Sequence, residues 1–448
     1  MSNLYFDYKD TVLINDKQIK QVCNYLMNHI DDIKKELKFG YNTKYAFLNL
    51  ANDFNLVREV NQMILKAKNL KPRIFLLIGI GGSNLGTLGL FNSIFGNLYN
   101  LKNILDSQDL NRTLFYCADT IDDYYLSDLI FIVERELKSG YNVLINIVSK
   151  SGKTIETSIN AYIFIDLIKK YKSNYQDYIF VTTDKDSLLY NISKKENYNI
   201  LEIPKLVGGR FSVLSAVGLF PIGFFVKDFC SIEDILVYHQ DAIKRYLSCD
   251  LNINYALISA SITYFNYQYR YKNISDLFIF SPDLKFLGSW YRQLVGESLG
   301  KKFDNNKNLK EVGITPTISI ATIDLHSVVQ LYLAGPRDKT TTFLSFKNES
   351  NNIKVDSSLF DCDLYQKNLS ITFIKNSILN GVKSAYQKDQ RPFMSIELRE
   401  KNLESLIDFM VFKMLETIYI GTLFNINVFD QPEVELYKQE AEKFLKNC

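Results

Sequence analysis

The chain has 448 residues, 47% of them hydrophobic and 23% charged, which is ordinary for a globular enzyme and leaves room for two or three domains. Its 52 basic and 50 acidic residues are well mixed and leave a formal net charge of +2. That balance excludes a global field able to draw in nucleic acid or an anionic membrane, so any anion must be bound locally. The six cysteines, Cys23, Cys117, Cys230, Cys249, Cys362 and Cys448, are scattered, with no C-x-x-C pair and no histidine at metal-ligand spacing. They read as reduced thiols with no structural metal, in a cytoplasmic protein. The opening "MSNLYFDYKD" lacks the basic and then apolar pattern of a signal peptide.

In chain order, "IKQVCNYLMNHIDDIKKEL" and "AFLNLANDFNLVREVNQMILKAKNL" place apolar residues at three- and four-residue steps and predict a helical segment over residues 1–70. Short apolar runs then alternate with helical patterns: "RIFLLIGI" (73–80), "TLFYCA" (113–118), "YNVLINIVS" (141–149), "DYIFVTT" (177–183) and "NILEIP" (199–204). This alternation predicts an α/β fold, a mainly parallel sheet flanked by helices with ligands at the carboxyl ends of its strands. The stretch from Ile74 to Leu101 carries no charge and is long enough to span a bilayer, but its glycines and its Ser and Asn residues argue against a spanning helix. A second α/β unit follows, with "DLFIFSP" (276–282), "TISIAT" (317–322) and "TTFLSF" (341–346) as strands. The expected organisation is a helical segment (1–70), one α/β domain (71–250), a second (251–425) and a C-terminal helical tail (426–448).

Several stretches carry chemistry. "LLIGIGGSNLGTLGL" runs from a strand through Gly79, Gly81, Gly82 and Ser83 into a helix, so backbone N–H groups can converge on an anion. Asn84 stands where a dinucleotide fingerprint needs its third glycine, and no Gly-Lys-Ser/Thr follows for a Walker loop. A tight structural turn is the alternative. "VSKSGKTIET" (148–157) repeats the strand, loop and helix shape with Ser149, Ser151 and Thr154 as hydroxyl donors and Lys150 as a nearby charge. These hydroxyls suit a phosphate monoester, or else simply cap a helix. In "LVGGRFSVLSAVGLFPIG", Arg210 precedes a strongly apolar stretch and needs an anionic partner, either a protein carboxylate or a developing negative charge. In "GSWYRQLVGESLGKK", Gln293, Glu297 and Lys301 align at four-residue steps. Glu297 reads either as a partly desolvated general base or as half of an exposed Glu-to-Lys helix pair. His326 lies at a strand-to-helix junction in "TIDLHSVVQLYLAGPRD", and Gln431 and Lys438 lie in "FDQPEVELYKQEAEKFL".

The ordered succession "GIGGSNLG", "SKSGKTIET", "VGGRFSVLSAVGL", "GESLGK", "DLHSVVQ" and "EVELYK" closely resembles the glucose-6-phosphate isomerase family over residues 70–440. The resemblance implies two sugar-isomerase domains with the active site between them, and a homodimer in which each site borrows His326 from the other subunit. It implies a hexose 6-phosphate substrate held by Gly82, Ser83, Ser149, Lys150, Ser151 and Thr154. Glu297 would move a proton between C1 and C2 through a cis-enediolate, with Arg210 stabilising the charge on oxygen. His326 and Lys438 would open the ring, Gln293 and Gln431 would line the sugar, and no metal or organic cofactor would take part. The chain departs from the family pattern at Glu433 and Tyr437, where glycines are usual, and in "CADTIDD", where Asn or Ser is common. A non-catalytic sugar-phosphate sensor and another aldose–ketose isomerase on the same fold are the rival readings.

Overall fold

The protein is described by a computed structural model over residues 3–106, 112–348, 353–355 and 369–446. Cys362 and Cys448 fall outside those residues. The strands in chain order are β1 (Leu4–Asp7), β2 (Pro72–Ile78), β3 (Leu114–Ala118), β4 (Asn142–Val148), β5 (Ile179–Asp184) and β6 (Asn199–Ile203), then β7 (Ile274–Ile279). They continue with β8 (Lys301–Phe303), β9 (Leu309–Val312), β10 (Thr315–Ile320), β11 (Lys339–Phe346), β12 (Lys354–Val355), β13 (Leu369–Ser370) and β14 (Phe393–Leu398).

Two five-stranded sheets form the frame. The first, ordered β3-β2-β4-β5-β6, is parallel throughout. The second, ordered β1-β14-β11-β7-β10, is parallel except for β1, which pairs antiparallel with β14. The α/β expectation therefore holds, and all eight apolar runs identified as strands lie on strands of these two sheets. The N-terminal region contributes more than helices, because Leu4 pairs with Leu398 and closes one edge of the second sheet.

Parallel strands covered on both faces need apolar side chains pointing both ways, and β2 is buried at every position. Its alternation divides the interior: Ile74, Leu76 and Ile78 face an outer cluster with Val143, Ile145 and Phe164, whereas Phe75 and Leu77 face a central core. That central core also holds Leu277, Leu344 and Ile396 from the second sheet, so both sheets pack onto shared helices. The helix Leu403–Leu423 is buried over most of its length, and its buried charges are paired: Asp408 with Arg245 at 2.5 Å and Lys413 with Glu416 at 2.8 Å.

The charge-free stretch 74–101 is β2, a tight turn at Gly81–Ser83, the helix Leu85–Phe95 and the start of the helix Tyr99–Leu105, as the reading against a spanning helix expects. Among the described residues the stretch apolar and long enough to cross a membrane is Gly209–Val226, and 89% of it is buried inside the fold.

Candidate active site

The glycine turns at the carboxyl ends of the strands place the candidate site residues. Gly79 leaves β2 so close to β4 that a Cβ there would meet the Val148 carbonyl oxygen at 3.0 Å. Gly81 has a φ of +61°, which favours glycine, and a Cβ on it would stand 2.9 Å from Gln293 Nε2. At Gly82 an added Cβ would fall 2.3 Å from the Gly209 carbonyl carbon. The first glycine turn thus rests directly on the turn that carries Arg210, and only glycine permits the approach.

Arg210 sits in the short 3-10 turn Gly209–Phe211 and is 2% exposed. All five of its N–H donors are used. Nε donates to Ser298 Oγ at 2.7 Å, Nη1 to Glu297 Oε2 at 3.1 Å and to Gln431 Oε1 at 2.6 Å. Nη2 donates to the carbonyls of Val428 at 2.5 Å and Asp430 at 3.0 Å. Burial pulls the guanidinium pKa down and the Glu297 charge opposes that pull. The sequence leaves two partners open for Arg210, and the structure supplies a protein carboxylate.

That carboxylate belongs to the helix Lys285–Leu299, whose apolar stripe of Leu287, Trp290, Tyr291 and Leu294 is buried and fixes the rotation of the opposite flank. Glu297 Oε1 accepts from Gln293 Nε2 at 2.9 Å, one turn earlier. The exposed Glu-to-Lys pair does not form: Lys301 Nζ turns inward and donates to the backbone carbonyls of Glu297 at 2.6 Å and Asp430 at 2.8 Å. A cavity of about 380 Å³ opens beside Glu297, walled by Gly300, Lys301, Asp430, Gln431 and Pro432. Ser83, Ser149 and Thr154 are not among its walls.

The loop after β4 lies beside the first glycine turn because β2 and β4 are neighbours. Ser149 is buried, accepts from the Gly152 amide at 3.1 Å and donates to Thr154 Oγ1 at 3.4 Å. Gly152 has a φ of +68° and is pressed against the Leu189 backbone. Thr154 is the residue before the helix Ile155–Lys169 and makes no capping bond with its side chain, which leaves the helix start open to another acceptor. Ser151 is exposed, and its Oγ accepts from the Lys153 amide at 3.2 Å. Lys150 is drawn away from the loop, donating to the carbonyls of Lys205 at 2.6 Å and Val207 at 3.1 Å. Burial lowers the Lys150 pKa, and burial raises that of neighbouring Asp184 to about 6 against the pull of Lys150.

Thus Gly82, Arg210, Gln293, Glu297 and Gln431 come together, and Ser83, Ser149 and Thr154 stand at adjacent strand ends. His326 and Lys438 do not join them within one chain. His326 is exposed, in the turn between Ile323–Leu325 and the helix Val329–Ala334 that follows β10, an edge strand. Lys438 lies on the helix Val434–Lys446, which buries none of its residues, and pairs with Glu435 at 2.7 Å.

Residue-by-residue reading missed three supports. Ser298 and Lys301 lie inside "GESLGKK" next to the carboxylate, but nothing in their spacing tells a buried serine or lysine from an exposed one. Asn84 donates to Asp119 Oδ2 at 2.7 Å, tying the first glycine turn to the end of β3. The departure from the family pattern in "CADTIDD" therefore has a structural partner. Among the described residues no cluster of His, Cys, Asp and Glu is arranged to hold a metal ion.

Residues 67–448 match the phosphoglucose isomerase family. The chain is 32% identical to the probable glucose-6-phosphate isomerase of Methanococcus maripaludis, covering 93% of this chain and 87% of that one. To the glucose-6-phosphate isomerase of Lactococcus lactis subsp. cremoris it is 29% identical, with 98% and 95% covered. Its fold is similar to that of a hypothetical protein from Thermus thermophilus (TM-score 0.82, 25% identity, 99% of both chains). It is also similar to a glucose-6-phosphate isomerase from Chlamydia trachomatis (TM-score 0.79, 18% identity, 99% and 88%). With the match running from just before β2 to the end of the chain, and with the glycine turns, the buried arginine and its carboxylate lying inside it, the chain belongs to the phosphoglucose isomerase family.

Proposed function

We propose that the protein interconverts glucose 6-phosphate and fructose 6-phosphate in the cytoplasm, with the two sheets forming two sugar-isomerase domains. The observation that carries this reading is the Arg210–Glu297 pair at 3.1 Å, set where the two glycine turns touch. Ser83, Ser149, Ser151 and Thr154 hold the 6-phosphate with hydroxyl and backbone donors, and the start of the helix Ile155–Lys169 adds its dipole. Lys150 shapes this pocket by bridging to the Lys205–Val207 loop.

With its phosphate anchored, the open-chain sugar presents C1 and C2 to Glu297. The carboxylate takes the proton from C2 of the aldose, the electrons move into a cis-enediolate, and the same proton returns to C1 while the O2 hydroxyl proton passes to O1, which gives the ketose. Negative charge grows on the sugar oxygens during this step. Arg210 Nη1 meets it when a sugar oxygen takes the place of Gln431 Oε1, so the guanidinium exchanges one acceptor for another without reorganising. Gln293 keeps the carboxylate aimed. Ring opening falls to Lys438 and to His326 from a second subunit, which suits an exposed histidine beyond an edge strand. No step requires a metal or organic cofactor.

A non-catalytic sensor would need the phosphate turns but not a carboxylate held by both an amide and a buried guanidinium. The test is turnover of fructose 6-phosphate, followed with glucose-6-phosphate dehydrogenase as the coupling enzyme, in the parent and in Glu297→Gln. A positioned base contributes about 10²- to 10⁴-fold, so the variant should lose that much in kcat while melting near the parent. Undiminished turnover in the variant would remove Glu297 from the chemistry.

A further inference from the structure

A second cavity lies at the other end of the first sheet from the catalytic turns. It measures about 960 Å³ and is bounded by the amino ends of β2, at Pro72 and Arg73, and of β3, at Thr113. Five cations line it, Lys68, Lys71, Arg73, Lys102 and Arg112, against one carboxylate, Asp228. Both arginines are engaged with protein groups: Arg73 near Glu136 at 3.8 Å, Arg112 near Asp106 at 3.6 Å. Lys68 pairs with Asp228 at 3.2 Å. Lys71 and Lys102 are exposed and form no ion pair among the described residues.

The other walls are aromatic. Phe95, Tyr99, Phe225 and Phe229 pack edge to face, with centroids 5.1 Å apart for Phe95 and Tyr99 and 6.2 Å apart for Phe95 and Phe225. Phe229 still leaves 63% of its surface uncovered. Asn103 lines the same cavity, is 3% exposed, and its Oδ1 accepts from Arg112 Nη1 at 3.3 Å. Planar aromatic faces beside uncommitted ammonium groups match a ligand with a flat ring and a phosphate chain.

The cavity also has a mechanical link to catalysis. The helix Leu85–Phe95 starts at the Gly81–Ser83 turn and ends on the cavity wall with Phe95. The helix Ala216–Val226 follows the turn that carries Arg210 and places Phe224 and Phe225 on the same wall. Each helix is eleven residues long and spans about 16 Å. Their leading turns touch where Gly82 meets Gly209.

We propose that this cavity is an effector site for a nucleoside phosphate, whose ring lies against Phe95, Tyr99 and Phe229 and whose phosphates meet Lys71 and Lys102. Occupancy shifts the far ends of the two helices and so the fit of the substrate turns. The coupling half of this proposal rests on the catalytic reading above; the binding half does not.

The test titrates the full-length protein with ATP by calorimetry, with fructose 6-phosphate at saturation so that the catalytic phosphate turns are filled. Saturable binding is expected, weakened at least about tenfold in the double variant Lys71→Glu, Lys102→Glu and about tenfold weaker for adenosine or tripolyphosphate alone. The double variant should keep the parent's melting temperature and its turnover without ATP. Absence of saturable binding, equal binding by the variant, or tripolyphosphate binding as tightly as ATP would overturn the site. For the coupling, ATP should change the KM for fructose 6-phosphate by about twofold or more in the parent and less in the variant; equal KM changes in both would overturn it.

Discussion

Arg210 Nη1 lies 3.1 Å from Glu297 Oε2 and 2.6 Å from Gln431 Oε1, so one nitrogen joins the carboxylate helix to the C-terminal segment. Nη2 strengthens that joint through the Val428 and Asp430 carbonyls, and Lys301 repeats it from below by bonding Glu297 and Asp430. A guanidinium with every donor engaged supports structure as well as charge. Arg210→Met should therefore cost stability, about 3 to 5 kcal/mol by denaturant unfolding, because it strands buried acceptors around a missing cation. It should also lower kcat/KM by about 10²-fold or more in the coupled assay. A Met variant that unfolds and turns over like the parent would show that the joint carries neither load.

The exposed position of His326 makes a prediction about assembly. Glu297→Gln and His326→Ala should each be nearly inactive as pure proteins. When subunits of the two exchange, a mixed dimer holds one site with both residues intact, so a random equimolar mixture should recover about a quarter of parental activity. An exchanged mixture that stays at the level of its components would place His326 outside the partner's site.

The Gly82–Gly209 contact can be tested by a single methyl. In Gly82→Ala the new Cβ would lie 2.3 Å from the Gly209 carbonyl carbon, backbone against backbone, and one turn must give way. A stability loss of about 1 to 3 kcal/mol is expected. Catalysis should suffer more, since a shift of about 1 Å between substrate-positioning groups can cost 10²-fold. Gly381→Ala is the control: it lies inside the helix Ile371–Lys388 and a Cβ there meets nothing within 4 Å. It should be neutral or stabilise by up to about 1 kcal/mol.

What could be read in advance follows burial. Strands β2 and β4 announce themselves because a parallel strand covered on both faces must be apolar at nearly every position. Strand β1, at four residues with two facing outward, is too short for any period to stand out, and its place depends on pairing with residues almost four hundred positions away. The hairpin β8–β9 is polar and mostly exposed, so nothing apolar marks it. At the site, Arg210 is conspicuous because a guanidinium inside an apolar run demands an anion. The inward turn of Lys301 is invisible beforehand: a lysine four residues after a glutamate ordinarily forms the surface pair, and the backbone carbonyl of Asp430, far along the chain, decides otherwise. Lys150 shows the same limit, since the carbonyls of Lys205 and Val207 that capture it leave no pattern in side-chain type.

One buried titratable group sets a pH dependence separable from catalysis. His239 is 2% exposed in the helix Ile232–Tyr246, its Nε2 has no hydrogen-bond partner among the described residues, and burial depresses its pKa from 6.5 to about 3. The folded state therefore holds it neutral, while the unfolded chain takes up a proton as pH falls below 6.5. Its contribution is fully present above that value and is lost progressively between pH 6.5 and about 3. At pH 5 the loss amounts to roughly 2 kcal/mol, from about 1.4 kcal/mol per pH unit. Asp184, whose pKa burial raises to about 6, acts in the opposite sense, because its contribution is lost as pH rises through that value. Comparing denaturant unfolding at pH 7.5 and pH 5 for the parent and for His239→Leu isolates the histidine: the parent's change on acidification should be more destabilising than the variant's by that amount. Equal changes in both proteins would mean that His239 is protonated inside the fold.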